Sequence, residues 1–418
     1  MSFEENLVQT HPISHDRRGN LSINLKRLIF YLVFFLVFCF SGILSMLMLM
    51  RGGFQYRMGL ISFLVIPLLI LYGLKVNKIT LTYVALTGVI FLSGYLNNTP
   101  IFDILTFMRI LVFSYLIIRL VELYLNPENI SKVIKLCVAI AMLQLPIIGL
   151  QRMFYNQMPL PIKQKSIFID FDFGTFNLNS DAAMAFFLIL LVIFLLFDEK
   201  RNYIIRYKWP VIFWLTLTLI IQNSRISRLI IILVWGIYFL THLKPKNIIY
   251  LFIISILIVG VLFASGTFDE LLTEITNTIE NAISLDPIRT EEFLTGNYGR
   301  SAALNYYLNN DILWFGDGPS KYFNAFSRTR LRGNTGHVFT FYSEVGLMGL
   351  VGSILIFFSI AFRTRSTRMR ISWVSILAFI SVTILSFTNQ VLNNIGVVLI
   401  YCIIVNTYLI KPREIPAN

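Results

Sequence analysis

Apolar residues in this chain are gathered into long runs, and short polar breaks separate one run from the next. Twelve runs stand out: 28–49, 59–75, 79–96, 101–122, 132–153, 180–197, 209–222, 226–243, 247–265, 338–361, 371–388 and 391–410. A helix rising about 1.5 Å per residue needs about 20 apolar residues to cross a hydrocarbon core of roughly 30 Å, and most runs approach that length. The pattern predicts an all-α, polytopic membrane protein with about twelve transmembrane helices. The seventh run is short, and a tight turn divides the last two. Residues 1–27 and 411–418 read as polar tails, 28–265 as spans one to nine, and 338–410 as spans ten to twelve. Between the two blocks of spans lies residues 266–337, the long hydrophilic stretch of the chain after its N-terminal tail.

Lys and Arg set the orientation of such a bundle, because they are retained on the cytoplasmic side. The breaks holding Lys75 and Lys78, Lys132, Lys200 to Lys208, Lys244 and Lys246, and Arg363 to Arg370 alternate with breaks that carry only Arg51, Arg57, Lys163, Lys165 and Arg225. Both termini are therefore expected in the cytoplasm and 266–337 outside, as one large external loop between spans nine and ten.

Composition agrees: 56% of the residues are hydrophobic and 14% charged, against about 25% charged in soluble domains. The net charge of +13 follows from the same sidedness and from attraction to anionic headgroups. It does not point to nucleic acid, because the basic residues are scattered over loops. The first run is too long for a removed signal peptide and lacks a small-residue cleavage site, so it reads as a signal anchor. Cys39, Cys137 and Cys402 all fall inside expected spans, which leaves no disulfide framework. His11 and His15 are four apart but straddle Pro12, and no zinc, P-loop or dinucleotide pattern is present. No metal and no cofactor is expected.

A transporter would place matched halves around its substrate path. Here no repeat relates 28–197 to 209–410, and the elaborated loop lies off-centre. An enzyme acting on a membrane-borne substrate at the external boundary fits better, and three polar junctions gather there. In the first, Gln222-Asn223-Ser224-Arg225-Ile226-Ser227-Arg228, Asn223 or Ser224 caps a helix whose positive end faces outward. Arg225 and Arg228 are three apart and share a face, an arrangement suited to phosphate oxygens.

The second junction is the loop. It is acidic over 266–292 and basic over 293–336, with helical patterning at 268–283 and 299–309. Arg300 follows Gly299 at the start of the second of these helices. Arg328, Arg330 and Arg332 read either as a solvated face or as substrate contacts. Trp314-Phe315-Gly316-Asp317-Gly318-Pro319 forms an aromatic and glycine turn that can meet a sugar or pin the loop to the bilayer. In the third junction, His337 opens the tenth span and Glu344 lies two turns along the same face, with Tyr342 nearby. The expected geometry is an imidazole at the external mouth with a carboxylate buried below it, acting as a base or as a clamp on a hydroxyl. Gly346, Gly349 and Gly352 allow a neighbouring helix to come close.

Taken in order, these junctions resemble the bacterial O-antigen ligase and polysaccharide polymerase superfamily, which includes the Wzy-type polymerases. Gly174-Thr175-Phe176-Asn177-Leu178-Asn179 is similar to that family's asparagine-containing start of a middle span, and Ser224-Arg225 to its Ser-Arg helix start. Arg300 through Gly316-Asp317-Gly318 resembles its Arg-led loop helix with a Gly-x-Gly turn. His337, Glu344, Gly346 and Gly349 resemble its His-led span. Many members follow the histidine with asparagine or serine, whereas Val338 stands here.

The resemblance implies a GT-C-like, metal-independent, inverting glycosyltransferase in the bacterial cytoplasmic membrane. Its donor would be an undecaprenyl-diphosphate-linked glycan and its acceptor a glycan or glycolipid, with membrane lipids around it and a chain-length regulator as a further partner. Arg225, Arg300 and His337 would carry the chemistry. Arg228, Glu344, Asn177, Asn179, Tyr342, Arg328 and Arg330 would hold substrate. The leading expectation is a polymerase of O-antigen, capsule or exopolysaccharide repeat units. The alternatives are a ligase that passes the glycan to lipid A core or another acceptor, and a flippase for lipid-linked oligosaccharide.

Overall fold

The computed structural model describes residues 16–44, 56–72, 76–157, 174–176, 181–197, 207–222, 224–242, 311–324, 329–330, 336–362 and 372–409. Their main helices are α1 (Asp16–Phe38), α2 (Tyr56–Tyr72), α3 (Lys78–Leu96), α4 (Ile101–Tyr124), α5 (Ile130–Phe154) and α6 (Asp181–Phe197). These are followed by α7 (Lys208–Ile221), α8 (Arg225–His242), α9 (His337–Ala361), α10 (Trp373–Ser386) and α11 (Ile395–Leu409). A two-residue antiparallel pair, Phe323–Asn324 with Thr329–Arg330, is the extended structure among these residues.

The most apolar helix lies at the centre. Every residue of α6 from Ala182 to Leu196 is buried, as expected of a helix that is hydrophobic on all sides. It packs against α7, α8, α10 and α11. The peripheral helices leave large apolar side chains such as Phe63, Ile70, Phe102, Phe213 and Leu240 exposed. Apolar surface on that scale is lipid-facing, and the chain is a helical membrane protein.

By length and composition, four helical stretches among the described residues suffice to cross a membrane, Lys78–Leu96, Ile101–Tyr124, Ile130–Gln157 and His337–Ala361, but the last is broken at Gly346. The twelve full crossings expected from the apolar runs are not found there. Helices α6, α7, α10 and α11 have 17, 14, 14 and 15 residues, or about 21–26 Å at ~1.5 Å per residue. Polar segments stop several of them: Gln222 follows α7, and residues 387–394 separate α10 from α11. The run 247–265 lies outside the described residues.

The expected tenth span departs further. Helix α9 is interrupted at Gly346, whose φ of 81° and ψ of −172° are not helical. Its two arms, 337–345 and 347–361, fold back side by side. The His337 and Phe357 rings are 6.4 Å apart, whereas twenty residues of straight helix would span about 30 Å. The second arm runs antiparallel to α3. Gly352 meets Leu86, and the Ser359 hydroxyl lies 3.3 Å from that of Thr82.

Backbone groups freed by special residues find side-chain partners inside the bundle. Pro146 in α5 has no N–H to give to the Met142 carbonyl, and the Trp214 indole of α7 donates to that carbonyl at 3.0 Å. The Gln151 amide donates to Gly174 O at 2.7 Å and accepts from Gly174 N at 3.0 Å. Gln144 accepts from Thr175 N at 3.0 Å. These two α5 glutamines hold the 174–176 segment against the bundle, where burying unpaired backbone would be costly.

Candidate functional site

The α3–α4 turn at 97–100 marks one rim of the bundle, and the described part of the long polar stretch lies against it. Residues 311–322 are bound backbone-to-backbone into the break in α9. Asp317 N donates to Ser343 O at 2.8 Å and Gly318 N to Glu344 O at 3.1 Å. Leu347 N donates to Leu313 O at 2.7 Å and Met348 N to Trp314 O at 3.3 Å. The break in α9 leaves these carbonyls and N–H groups without helical partners, and the segment supplies them.

Two glycines make the approach possible. A Cβ on Gly346 would lie 2.3 Å from Trp314 O, and one on Gly316 (φ +68°) would lie 2.5 Å from the Glu344 carbonyl carbon. From α3, the Ser93 hydroxyl donates to the Phe315 and Glu344 carbonyls, and the Asn97 amide donates to Gly316 O at 3.0 Å. The Ser320 hydroxyl ties the segment to α4 through Asp103 O at 3.0 Å.

Glu344 is fully buried, and its carboxylate accepts from Ser320 N at 2.6 Å. This bond fixes the segment to the first arm. The Tyr342 hydroxyl accepts from Leu313 N at 3.3 Å, so two of the expected substrate-binding residues contact this clasp. The Tyr322 hydroxyl donates to Asp317 and stiffens the turn from within.

His337 occupies the other end of the arm. Its backbone N–H donates to Asn389 O at 3.0 Å, and its ring is buried, 4.4 Å from that of Phe341. The Gln390 amide, in the α10–α11 turn, donates to Gly336 O at 3.4 Å and to the Thr340 hydroxyl. The expected depth order is therefore reversed. Glu344 sits at the rim beside Ser93, and His337 lies about 10 Å further in, seven residues back along the arm at ~1.5 Å each. The fold-back at Gly346 causes the reversal: the arm climbs from His337 to the rim and does not descend from it.

At the first junction, the Ser224 carbonyl accepts from Arg228 N at 3.2 Å, opening α8, and its hydroxyl lies 2.7 Å from that of Ser227. The Arg228 guanidinium turns back to Gln222 O at 3.1 Å. Arg152, from the end of α5, donates to Ile221 O at 2.8 Å. Two guanidinium groups thus meet the C-terminal carbonyls of α7, where the helix dipole favours cations. Helix α8 begins at Arg225, but the Arg225 side chain lies outside the described residues. So do Asn177, Asn179, Arg300 and Arg328, and Arg330 is described only as backbone in the short strand pair. The structure therefore joins His337, Tyr342 and Glu344 on one arm and describes Arg228 at a separate junction.

Sequence reading missed the residues that hold this arrangement: Ser93, Asn97, Arg152, Ser320 and Gln390. Ser93, Asn97, Arg152 and Gln390 stand within or beside an apolar run and Ser320 inside the polar stretch, and neither setting by itself identifies a partner. No protein-family model matches the chain, and no curated protein matches it.

Proposed function

We propose that this protein is a membrane glycosyltransferase that polymerises undecaprenyl-diphosphate-linked repeat units into O-antigen, capsule or exopolysaccharide. One observation carries the reading: the Gly316-Asp317-Gly318 turn and the His337 arm that follows it in the chain are clasped together at the Gly346 break. These are two of the four stretches that resemble the polymerase and ligase superfamily. In this reading the 311–322 rim faces outward, both termini are cytoplasmic, and the shorter helices complete a bundle of about twelve membrane segments.

Transfer breaks the anomeric carbon–phosphate bond as an acceptor hydroxyl attacks from the opposite face. The polyprenyl diphosphate leaves with growing negative charge. Fixed guanidinium groups of Arg225 and Arg300 stabilise that charge in a site shielded from water. His337 either takes the acceptor proton or holds the diphosphate as a cation. Glu344, bound to Ser320, sets the arm and the loop relative to each other.

The test is a purified-protein assay with synthetic diphospholipid-linked repeat units. The wild type is expected to lengthen them, and His337→Ala, Arg225→Ala and Arg300→Ala to lose transfer by about 100-fold or more, the scale of a lost transition-state contact. Full activity in all three variants would refute the assignment. A deletion strain separates polymerase from ligase: single repeat units on the acceptor mark the former, and long chains stranded on the carrier mark the latter. The break in α9 also favours a second reading as a flippase, because transporters use discontinuous helices around their substrates. Movement of the lipid-linked glycan across vesicles without elongation would select it.

A further inference from the structure

Helix α4 carries two arginines in opposite surroundings. Arg119 is 2% exposed and ion-paired to Glu122. Arg109 is exposed and makes no ion pair or hydrogen bond among the described residues. It shares its face with Phe102, Leu105 and Val112, which are 75%, 55% and 46% exposed. At 100° per residue these four fall on one narrow stripe. The stripe points away from the protein interior, because Phe107, on the opposite side of α4, is fully buried with its ring 5.1 Å from that of Phe341.

Arg109 lies about 12 Å along the helix from Ile101, at ~1.5 Å per residue. A cation at that depth on a hydrocarbon-facing stripe is costly unless its charge reaches a polar partner. Snorkelling carries its charge toward the rim, where lipid phosphates lie. The stripe also adjoins the candidate site. Asp103, one residue from Phe102, accepts the Ser320 hydroxyl of the clasped segment, and the inner face of α4 contacts the His337 arm through Phe341.

We propose that the Phe102–Leu105–Arg109–Val112 stripe is the lateral docking site of an isoprenoid phosphate lipid. Arg109 holds the phosphate, Val112 and the deeper face of α4 lie along the isoprenoid chain, and Phe102 flanks the headgroup. The lipid waits one helix away from His337. The identity of the lipid rests on the glycosyltransferase reading, whereas the binding face is independent of turnover.

The experiment measures binding of undecaprenyl diphosphate to the full chain in nanodiscs, by native mass spectrometry, alongside undecaprenol, which lacks phosphate. Arg109→Ala is expected to weaken diphosphate binding about ten-fold or more, the range of a charge-assisted contact, and to leave undecaprenol binding unchanged. Arg109→Lys is expected to stay within about three-fold, since a lysine still presents a point charge to phosphate. An unaltered elution volume and melting temperature establish that Arg109→Ala is folded. Equal diphosphate binding by wild type and Arg109→Ala overturns the docking site and leaves the glycosyltransferase reading intact. Failure of the wild type to bind the diphosphate overturns both. Conversion of a wild-type dimer to a monomer by Arg109→Ala also overturns the proposal, because the face then belongs to a second copy of the chain.

Discussion

Replacing Gly346 with alanine strikes the point where α9 turns back and the polar segment is clasped. Its backbone, at φ 81° and ψ −172°, lies in a region essentially restricted to glycine, and a residue with a side chain pays roughly 1–3 kcal/mol to stay there. The new Cβ would lie 2.3 Å from Trp314 O and 2.4 Å from Phe315 N. These are backbone atoms, so a side chain cannot rotate away to relieve the clash and the segment must move. Four backbone hydrogen bonds of 2.7–3.3 Å join the segment to the two arms within a few residues of the clash. Losing two of them at about 1 kcal/mol each, with strain added, gives a cost of about 3 kcal/mol or more. Gly88→Ala in α3 is the control, because a Cβ there meets nothing within 4 Å and alanine gains up to about 1 kcal/mol in helix propensity. Thermal unfolding in detergent, followed by intrinsic fluorescence, is the assay. At about 2 °C per kcal/mol, the low end for larger domains, Gly346→Ala should melt at least about 6 °C below wild type, and Gly88→Ala at or slightly above it. Equal melting temperatures for Gly346→Ala and wild type would show that the clasp does not hold the bundle.

The fold-back can be measured directly. Spin labels on Val338→Cys and Phe358→Cys, in a background lacking Cys39, Cys137 and Cys402, should give a separation far below the about 30 Å of a straight helix, and a distance near 30 Å rejects it. Glu344→Ala removes the acceptor of the buried Ser320 N–H and is expected to cost about 1–3 kcal/mol, while Glu344→Gln keeps an oxygen there and loses less. A wild-type melting temperature for Glu344→Ala would remove Glu344 from the clasp.

Helix positions were legible in the sequence where the signal is local. Helix α3 starts at Lys78 because Asn77 caps it, its side chain accepting from Thr80 N at 2.9 Å, and the run from residue 79 anticipated that start. Pro100 stands before Ile101 and marks the start of α4 without a side-chain cap. Helix length was less legible. Apolar runs continue through weak polar breaks, but a helix stops where a carbonyl or N–H finds another partner, as at Gln222 with Arg228.

Gly346 shows why the site was harder to read than the helices. A glycine within an apolar run costs only about 1 kcal/mol in a helix, and with Gly349 and Gly352 it reads as a packing stripe. Its conformation depends on Trp314 and Phe315, about thirty residues earlier, which meet it through backbone atoms that have no sequence signature. The seven-residue spacing of His337 and Glu344 nevertheless keeps its meaning. Both residues precede the break, so they share one face of one arm. Spacing fixes which side of a helix two residues occupy, but it does not fix which of them lies nearer the rim. That order follows from the direction in which the arm runs, and the direction is set by the fold-back at Gly346.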